Sequence, residues 1–423
     1  MPFLPAARLK GEIVVPGDKS ISHRALVLAA MAQGSSRIEG RAGGADQESM
    51  VGGLAALGVE IEDDGEVTHV HGVGLRGLAT AAADIDCGNS GATMRFLTGA
   101  ISGIESAGAT LVGDASLSLR PMDRVAEPLR RMGAEVETAE KGLPPLRVVG
   151  QRLHGAQHHV DVASAQVKTA ILLAALNAEG ETAITTPSSR DHTERMLARL
   201  GVEIETGDTI RLTPPARLPA FEMTVPGDPS SAAFWVVLAA AHPDAELIVR
   251  NVCLNPTRAG FLAVLGRMGA HVEMFDTREV AGEAVADILV RSAALQGTEV
   301  EPGEVPSLLD EVPVLAVAAA MAKGETRFRG VGELRVKEVD RLTAIADQLG
   351  RLGIDAAVDG EDLRVLGAGR LQGARLSSGG DHRMAMSLAV AASLAVGPSE
   401  MTGAAAVDVS YPDFYAELRS LSD

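Results

Sequence analysis

The sequence predicts an α/β fold built from six repeated β/α units, three in each of two lobes. Three observations lead to this prediction: an amphipathic helix that recurs five times, an apolar helix that recurs six times, and a segment that is repeated half a chain later. Each repeat of such an array is one supersecondary unit, so the number of repeats sets the architecture.

The amphipathic helices share the pattern Leu-x-x-(Leu/Met)-Gly followed by hydrophobic residues, as in LAALGVEI from Leu54. A glycine after the last turn is typical of a helix C-terminus, and the residues after it are predicted to form a strand. A last helix of this kind is predicted from Tyr415 to Leu421, where a sixth copy would fall. The recurring glycines are Gly58, Gly133, Gly201, Gly269 and Gly353.

The apolar helices each follow a polar turn and are rich in small residues. Helix N-termini carry unpaired N–H groups and about half a positive charge. Several N-termini that converge can therefore bind an anion. The predicted helix starts lie near Ser20, Asn89, Ser164, Pro229, Leu309 and Asp381.

The two lobes follow from a longer match, in which IVVPGDKSISHRALVLAA at 13–30 resembles MTVPGDPSSAAFWVVLAA at 223–240. A solenoid is the alternative, but solenoids usually have shorter units with one dominant element. The predicted boundaries are 16–226 for the first lobe, 1–15 plus 227–423 for the second, and 15–18 and 225–228 for the hinges.

The composition limits the classes of partner. A formal net charge of −18 opposes binding to nucleic acid or to an anionic membrane. Aromatic residues make up only 3 %, which predicts an aliphatic core and argues against base stacking on single strands. An anionic substrate would need a local basic pocket, and nearly all of the 38 basic residues are arginines, whose planar fork suits phosphate and carboxylate.

Two cysteines, Cys87 and Cys253, cannot form a disulfide framework or a cysteine-rich zinc site. The sequence opens without a basic and apolar leader, and its apolar runs are too short to span a bilayer. We therefore expect a cytoplasmic monomer that binds small molecules, and neither nucleic acid nor membrane.

Polar and basic residues lie at the predicted helix starts of the first lobe. In PGDKSISHR, Lys19 and Ser20 open a helix and Arg24 lies one turn further on the same face, so a phosphate there would meet three donors. In GNSGATMRFLTGA, Gly91 lets a ligand approach the backbone, and Arg95 follows one turn later. The alternative for both segments is an ordinary solvated helix cap.

Three further segments of the first lobe add polar groups. Arg120 precedes a proline in GDASLSLRPMDR, so it is predicted to be extended and in a loop. SSRDHTER supplies Arg190, and a surface charge is the alternative for both arginines. The polar entry to the apolar helix SAQVKTAILLAAL consists of Ser164, Ala165 and Gln166.

In the second lobe, LLDEVPVLAVAAA places Asp310 and Glu311 at the start of a helix that must be buried. A carboxylate there can be stabilised by the helix dipole or desolvated into a base. A plain helix cap is the alternative.

Two further motifs complete the second lobe. ELRVKEVDRL brings Lys337, Glu338 and Arg341 into one segment, for which a surface helix with i,i+4 ion pairs is the alternative. GGDHRM places Arg383 at the start of the last apolar helix. Taken together, the motifs predict an enzyme for a small molecule with more than one anionic group, which uses carboxylates and lysine for proton transfer.

Two other patterns are not interpreted as sites. The G-x-G-x-x-G sequence at Gly72–Gly77 follows a strand, but no long helix follows it, so a dinucleotide site is not expected. His69 and His71 share one face of a strand without a carboxylate cluster, so no metal is expected.

The motifs, in this order, resemble those of the EPSP synthases from Pro16 to Phe414, and PGDKSISHR, SAQVKTA, RVKEVDR and DHRMAM are specific when found together. The resemblance implies a two-domain inside-out α/β barrel, the enolpyruvyl transferase fold. It implies transfer of the enolpyruvyl group of phosphoenolpyruvate to the 5-hydroxyl of shikimate 3-phosphate through a tetrahedral intermediate, without a cofactor. The two domains are expected to close around the substrates.

The resemblance also implies three sets of residues. The catalytic set is Asp310, Glu338 and Lys19. The set for shikimate 3-phosphate is Lys19, Ser20, Arg24, Ser164, Ala165, Gln166, Arg190, Asp310 and Lys337. The set for phosphoenolpyruvate is Lys19, Gly91, Arg120, Gln166, Arg341 and Arg383.

The sequence departs from the family pattern in places. Ala92 and Thr93 are exchanged relative to many members, Phe96 replaces a proline, and Val409 stands where many have a lysine that touches phosphoenolpyruvate. SRDHTERML and VPGDPSSAAF look like the bacterial subgroup that is often less sensitive to glyphosate. Gly91 is present where some insensitive members have alanine, so we expect partial sensitivity.

Three alternatives stay open at this point. The related transferase of UDP-N-acetylglucosamine usually has Lys-Asn where this chain has Lys19-Ser20. A non-catalytic repeat scaffold would not need Lys19, Asp310 and Glu338. An RNA-end-processing relative is opposed by the net charge of −18.

Overall fold

The structure is a computed structural model that describes residues 1–422, and the chain divides into two compact units. The first unit consists of Gly17–Val225 and Val280–Gly282. The second consists of Met1–Pro16, Pro226–Glu279 and the chain from Glu283 onward. No helix among the described residues is long and apolar enough to cross a bilayer.

Apolar and amphipathic helices alternate along the described chain, the odd-numbered helices being the apolar ones. The first unit contains α1 (Lys19–Met31), α2 (Ala45–Ala56), α3 (Gly91–Ser102), α4 (Asp123–Arg131), α5 (Ala165–Ala175) and α6 (His192–Arg199). The second unit contains α7 (Pro229–Ala241), α8 (Gly260–Arg267), α9 (Val312–Met321), α10 (Arg341–Arg351), α11 (His382–Leu394) and α12 (Phe414–Leu421).

The predicted ends of the amphipathic helices are confirmed. All five recurring glycines follow a helix and have a positive φ, between 79° at Gly201 and 101° at Gly133. Glycine adopts this left-handed conformation without the steric cost of a Cβ. The predicted start of α9 needs a small correction, because Leu309–Glu311 form a separate 3₁₀ turn before the helix begins at Val312.

The three sheets of the first unit repeat one pattern of four strands. An outer strand is parallel to its neighbour, and the two remaining pairings are antiparallel. The strand orders are Glu222–Thr224, Gln33–Glu39, Val67–Val73, Glu60–Asp63; Ile85–Asp86, Gly108–Val112, Leu146–Val149, Glu135–Thr138; and Gln157–His159, Thr182–Thr185, Thr209–Leu212, Ile204–Glu205.

Two sheets of the second unit also have four strands, and its third sheet is reduced. The four-stranded orders are Leu9–Val14, Ala245–Cys253, Glu283–Arg291, His271–Val280; and Glu299–Val300, Lys323–Phe328, Asp362–Ala368, Asp355–Asp359. The reduced part consists of Pro2–Phe3, Ser399–Thr402, Arg375–Ser377, and the separate pair Leu371–Gln372 and Ala395–Val396. The six predicted β/α units are thus present, and the last is the least regular.

The repeated Val-Pro-Gly-Asp segments have the same local structure in both units. Asp18 accepts a hydrogen bond from Ile21 N and caps α1, and Asp228 accepts one from Ser230 N and caps α7. A short polar side chain at this position satisfies one of the unpaired N–H groups of the first turn. The sequence match therefore marks two equivalent helix starts.

The apolar helices are the centre of each core, and α9 and α11 are buried along their full length apart from Met321. The predicted aliphatic core is present, and in the second unit a group of aromatic residues is added to it. There the few aromatic residues gather, with the Phe414 ring 5.0 Å from the Trp235 ring and 5.5 Å from the Tyr411 ring. Rings bury large apolar areas, so a few of them contribute much of one core.

Candidate active site

The start of α1 in the first unit presents a lysine that is already paired. Lys19 Nζ lies 2.9 Å from Asp46 Oδ2, at the start of α2, and both side chains are partly exposed. An ion pair at a solvated helix start fixes the ammonium group without removing it from solvent. Lys19 is therefore in place to meet an anion at this helix start.

Arg24 lies one turn further along α1 and is buried. Its Nε donates to Thr193 Oγ1 at 2.6 Å, its Nη2 to Thr169 Oγ1 at 2.9 Å, and its Nη1 to Ser20 O at 2.8 Å. Its guanidinium carbon also lies 5.0 Å from the centre of the Phe96 ring. Arg24 thus joins α1 to α5 and α6. Because its guanidinium nitrogens already donate to protein oxygens, a phosphate bound here would share these nitrogens with the protein.

The start of α3 combines a glycine with two arginines. Arg120 Nη2 donates to Asn89 Oδ1 at 2.6 Å, and its Nη1 to Asn89 O at 3.3 Å. Arg95 Nη1 donates to Gln166 Oε1, at the start of α5. A Cβ at Gly91 would lie 2.6 Å from Arg95 Nη1 and 3.5 Å from Arg120 Nη1. The absent side chain leaves room beside both guanidinium groups.

Arg190 brings a loop residue to the start of α1. Its Nη1 donates to Ser20 Oγ at 2.9 Å, although the two residues are far apart in the sequence. Ser164 caps α5 by accepting from Val167 N, and Ala165 is the first residue of that helix. Arg190 thus contacts the start of α1, and the bond from Arg95 to Gln166 joins α3 to the start of α5.

A set of carboxylates surrounds Arg341 in the second unit. Its Nη1 lies 3.2 Å from Asp310 Oδ1, its Nε donates to Asp381 Oδ2 at 2.7 Å, and its Nη2 donates to Glu338 Oε2. Its side chain is only 1 % exposed. Burial alone would lower the pKa of Arg341, but the carboxylates outweigh it and raise that pKa further above its usual range. Arg341 is a fixed positive centre that orients Asp310 and Glu338.

Arg383 is the second cation of this cluster. Its Nη2 lies 3.7 Å from Asp310 Oδ2, and its Nη1 lies 3.5 Å from Glu311 Oε1. Burial raises the pKa of the Glu311 carboxyl, and the neighbouring Asp310 adds to the rise, while Arg383 opposes it. Two consecutive carboxylates therefore share one guanidinium group.

In the second unit the structure brings the predicted residues Asp310, Glu338, Arg341 and Arg383 together. The surface-helix alternative for Arg341 is wrong, because α10 begins at this residue and its side chain is buried. Arg120 is extended, with φ −88° and ψ 136°, as its proline predicts. Lys337 is half-buried and lies between a 3₁₀ turn and α10.

Several partners of these residues were not predicted from the sequence. Glu311 is not among the predicted site residues, although a second acidic residue at a buried helix start is a usable sign. The others lie far away in the sequence or carry no motif. They are Asp46, Thr169, Thr193, Ser230, Arg258 and Asp381.

The chemistry of the two clusters differs. The first unit offers donors and positive charge near helix starts, which suits phosphate and carboxylate groups. The second unit offers Asp310 and Glu338 held by arginines, and carboxyl groups of this kind can take part in proton transfer.

Comparison with known proteins agrees with this chemistry. The model of the EPSP synthase family, described as 3-phosphoshikimate 1-carboxyvinyltransferase, matches residues 4–418. A relative from Roseiflexus sp. (strain RS-1), named 3-phosphoshikimate 1-carboxyvinyltransferase, is 49 % identical over 425 residues, which cover 99 % of this chain and 98 % of the relative. A relative of the same name from Gloeobacter violaceus is 50 % identical over 418 residues, which cover 98 % of this chain and 97 % of the relative.

Solved structures give the same result for the fold. The EPSP synthase of Acinetobacter baumannii is similar with a TM-score of 0.89 and 41 % identity, over 99 % of this chain and 97 % of that one. The enolpyruvyl transferase NikO of Streptomyces tendae has a TM-score of 0.79 at 21 % identity, over 99 % of this chain and 96 % of that one, which shows a shared fold. The predicted enolpyruvyl transferase fold is confirmed, and the chain belongs to the EPSP synthase family.

Proposed function

We propose that this chain transfers the enolpyruvyl group of phosphoenolpyruvate to the 5-hydroxyl of shikimate 3-phosphate and releases phosphate. The observation that carries the proposal is Asp310, a carboxylate placed between Arg341 at 3.2 Å and Arg383 at 3.7 Å in a member of the EPSP synthase family. Flanking cations favour its ionised form, which is the form that accepts a proton.

The proposed chemistry is addition followed by elimination. Asp310 takes the proton of the 5-hydroxyl while the hydroxyl oxygen attacks C2 of phosphoenolpyruvate. At the same time, C3 gains a proton from Glu338 or Lys19. A proton on C3 of the resulting tetrahedral intermediate then returns to the group that donated it, Glu338 or Lys19, while the bond from C2 to the phosphate oxygen breaks and phosphate leaves. Atoms and charges balance without an added oxidant or reductant.

We assign shikimate 3-phosphate mainly to the polar helix starts of the first unit. The residues proposed for it are Lys19, Ser20, Arg24, Ser164, Ala165, Gln166 and Arg190, with Asp310 and Lys337. Those proposed for phosphoenolpyruvate are Lys19, Gly91, Arg120, Gln166, Arg341 and Arg383. The buried Arg24 and Arg341 already bind protein groups, so we expect them to act largely through charge and by orienting their neighbours.

The test is a phosphate-release assay with both substrates. Wild type should release phosphate only when both are present, and UDP-N-acetylglucosamine should not replace shikimate 3-phosphate. Asp310→Asn should lower kcat by about 10²–10⁴-fold, the usual cost of losing a general base. Asp359→Asn, at a side chain that is 85 % exposed, is the control and should match wild type. A wild-type protein without turnover would contradict the proposal and favour a scaffold.

We also propose that the protein acts in the cytoplasm as a monomer whose hinges are the segments 15–18 and 225–228. Light scattering should give a mass near 43.7 kDa. A stable dimer at assay concentrations would overturn this part of the proposal.

Partial sensitivity to glyphosate is a further part of the proposal. The space beside Gly91 supports it, since a methyl there would press on Arg95 Nη1, 2.6 Å from the added carbon. Gly91→Ala should raise the inhibition constant of glyphosate measured against phosphoenolpyruvate. Gly52→Ala, where an added Cβ would meet nothing within 4 Å, is the control. Equal constants for wild type and Gly91→Ala would contradict this assignment.

A further inference from the structure

Glu311 is a buried acidic residue for which the proposed reaction has no role so far. Its side chain is 3 % exposed at the start of α9, in a core of apolar helices. Its Oε1 accepts a hydrogen bond from Ser230 Oγ, at the start of α7, and lies 3.5 Å from Arg383 Nη1, at the start of α11. An acidic side chain is rarely buried unless its partners hold it there.

The contacts of Ser230 define the direction of that hydrogen bond. Arg258 Nη2 donates to Ser230 Oγ at 2.8 Å and to Asp228 Oδ1 at 2.9 Å, and its side chain is 2 % exposed. A serine hydroxyl has one proton to donate. Ser230 Oγ accepts from Arg258 and donates its own proton to Glu311 Oε1.

Arg383 connects Glu311 to the proposed base. Its two terminal nitrogens lie 3.5 Å from Glu311 Oε1 and 3.7 Å from Asp310 Oδ2. The other side of Asp310 faces Arg341, at 3.2 Å, which also binds Glu338. Glu311 is thus the group that holds Arg383 from the side of the core.

The charges around Glu311 oppose one another. Burial raises the pKa of its carboxyl and the charge of Asp310 adds to this, whereas Arg383, Arg258 and the Ser230 hydroxyl lower it. A negative charge on a neighbouring group increases the proton affinity of a carboxyl group.

We propose that Glu311 is a positioning residue: its carboxylate holds the guanidinium of Arg383 beside Asp310, and its negative charge makes Asp310 a stronger proton acceptor. This inference rests on the proposed function, because it assigns Asp310 as the base. The positive charges of Arg341 and Arg383 oppose the uptake of a proton by Asp310. The negative charge of Glu311 counteracts part of this effect.

The experiment compares Glu311→Gln and Glu311→Asp with wild type by pH profiles of kcat and kcat/KM. Glu311→Gln keeps the size of the side chain but removes the charge. It should lower the plateau of kcat by about two- to tenfold and move the acidic limb of kcat/KM to lower pH. Glu311→Asp keeps the charge and should keep the wild-type limb.

Glu417→Gln is the matched control. Glu417 is also a partly buried acid of the second unit, burial also raises its pKa, and it also accepts a hydrogen bond from a hydroxyl, that of Tyr411. Its variant should leave the acidic limb and the plateau unchanged. An unmoved limb in folded Glu311→Gln, or equal losses in both Glu311 variants at every pH, would overturn the proposal in favour of a purely structural role.

A second measurement needs no turnover, and so it separates this inference from the proposed function. An acid whose pKa is raised by folding stabilises the protein at low pH and loses that contribution as pH rises. The thermal midpoint of wild type minus that of Glu311→Gln should therefore fall as pH rises above about 4.5. If this difference falls while wild type releases no phosphate at any pH, the proposed function fails and the buried ionisation stands. A difference that is still falling at the pH of the activity assays would mean that Glu311 is protonated there, and this would overturn the inference.

Discussion

His23 shows how a single buried side chain orders the first unit. Its Nδ1 lies 2.8 Å from Lys19 O and also contacts Gln47 Nε2, and its Nε2 lies 3.3 Å from Ser90 Oγ. Ser90 in turn caps α3 by accepting from Thr93 N. A neutral imidazole can accept the proton of Ser90, whereas an imidazolium has two donors and cannot. The neutral form therefore supports the start of α3.

This arrangement predicts a dependence of stability on pH. Burial lowers the pKa of His23 from 6.5 to about 4, so the unfolded chain binds the proton more readily than the folded one. The contribution of His23 is then present above pH 6.5 and is lost as pH falls towards 4, by up to about 3 kcal/mol. Relative to His23→Gln, wild type should lose thermal stability over this range.

The control for this prediction is His159→Gln, since the His159 side chain is 73 % exposed. Its thermal midpoint should follow that of wild type between pH 7 and pH 4.5. If wild type and His23→Gln showed parallel curves over the same range, the imidazole of His23 would not be the neutral group that the contacts indicate.

At the scale of elements, short sequence patterns predicted where the helices begin and end, but not which helices contact one another. The glycine at each helix end and the capping residues Asp18 and Asp228 act within a few residues of the chain, so the sequence contains them directly. The bond of Arg24 to Thr169 joins α1 to α5 across 145 positions, and no local pattern encodes it. The same holds for the order of strands, which depends on packing between distant segments.

The contact between α3 and α5 gives a prediction of this scale. A Cβ at Gly99 of α3 would lie 2.3 Å from Ala170 O of α5, so the two backbones approach as closely as glycine allows. Gly99→Ala must push the helices apart, and overpacking of this kind typically costs about 1–3 kcal/mol. We expect the thermal midpoint of the protein to fall by several degrees.

Gly52→Ala is the matched control for this change, because Gly52 lies inside α2 and an added Cβ would meet nothing within 4 Å. Alanine favours a helix interior over glycine by about 1 kcal/mol, so this variant should be neutral or more stable. Equal midpoints for the two variants would show that α3 can move away from α5 at no cost.

At the scale of the molecule, each unit has a core of its own kind. The first unit is built around aliphatic helices, and the second adds the aromatic group of Phe234, Trp235, Tyr411 and Phe414. The chain has one tryptophan, at position 235, so its fluorescence reports on the second unit alone. Circular dichroism reports on the helices of both units.

We predict that the first unit folds without the second. Its chain is continuous from Gly17 to Val225, its three sheets are formed within that range, and its outer strand Glu222–Thr224 pairs inside it with Gln33–Glu39. A domain of this size buries roughly 70 % of its unfolded surface, which is enough for independent stability. The fragment 17–225 should show helical circular dichroism and a cooperative thermal transition, although it has no tryptophan.

The same fragment should release no phosphate from the two substrates, because Asp310, Glu338 and Arg383 belong to the second unit. In the full chain, unfolding by urea should be followed by fluorescence and by circular dichroism in parallel. If the units unfold independently, the two signals separate, and the fluorescence change marks the second unit. A fragment 17–225 that is soluble but gives a random-coil spectrum would refute the independence of the first unit, because its helices would then depend on residues outside this range.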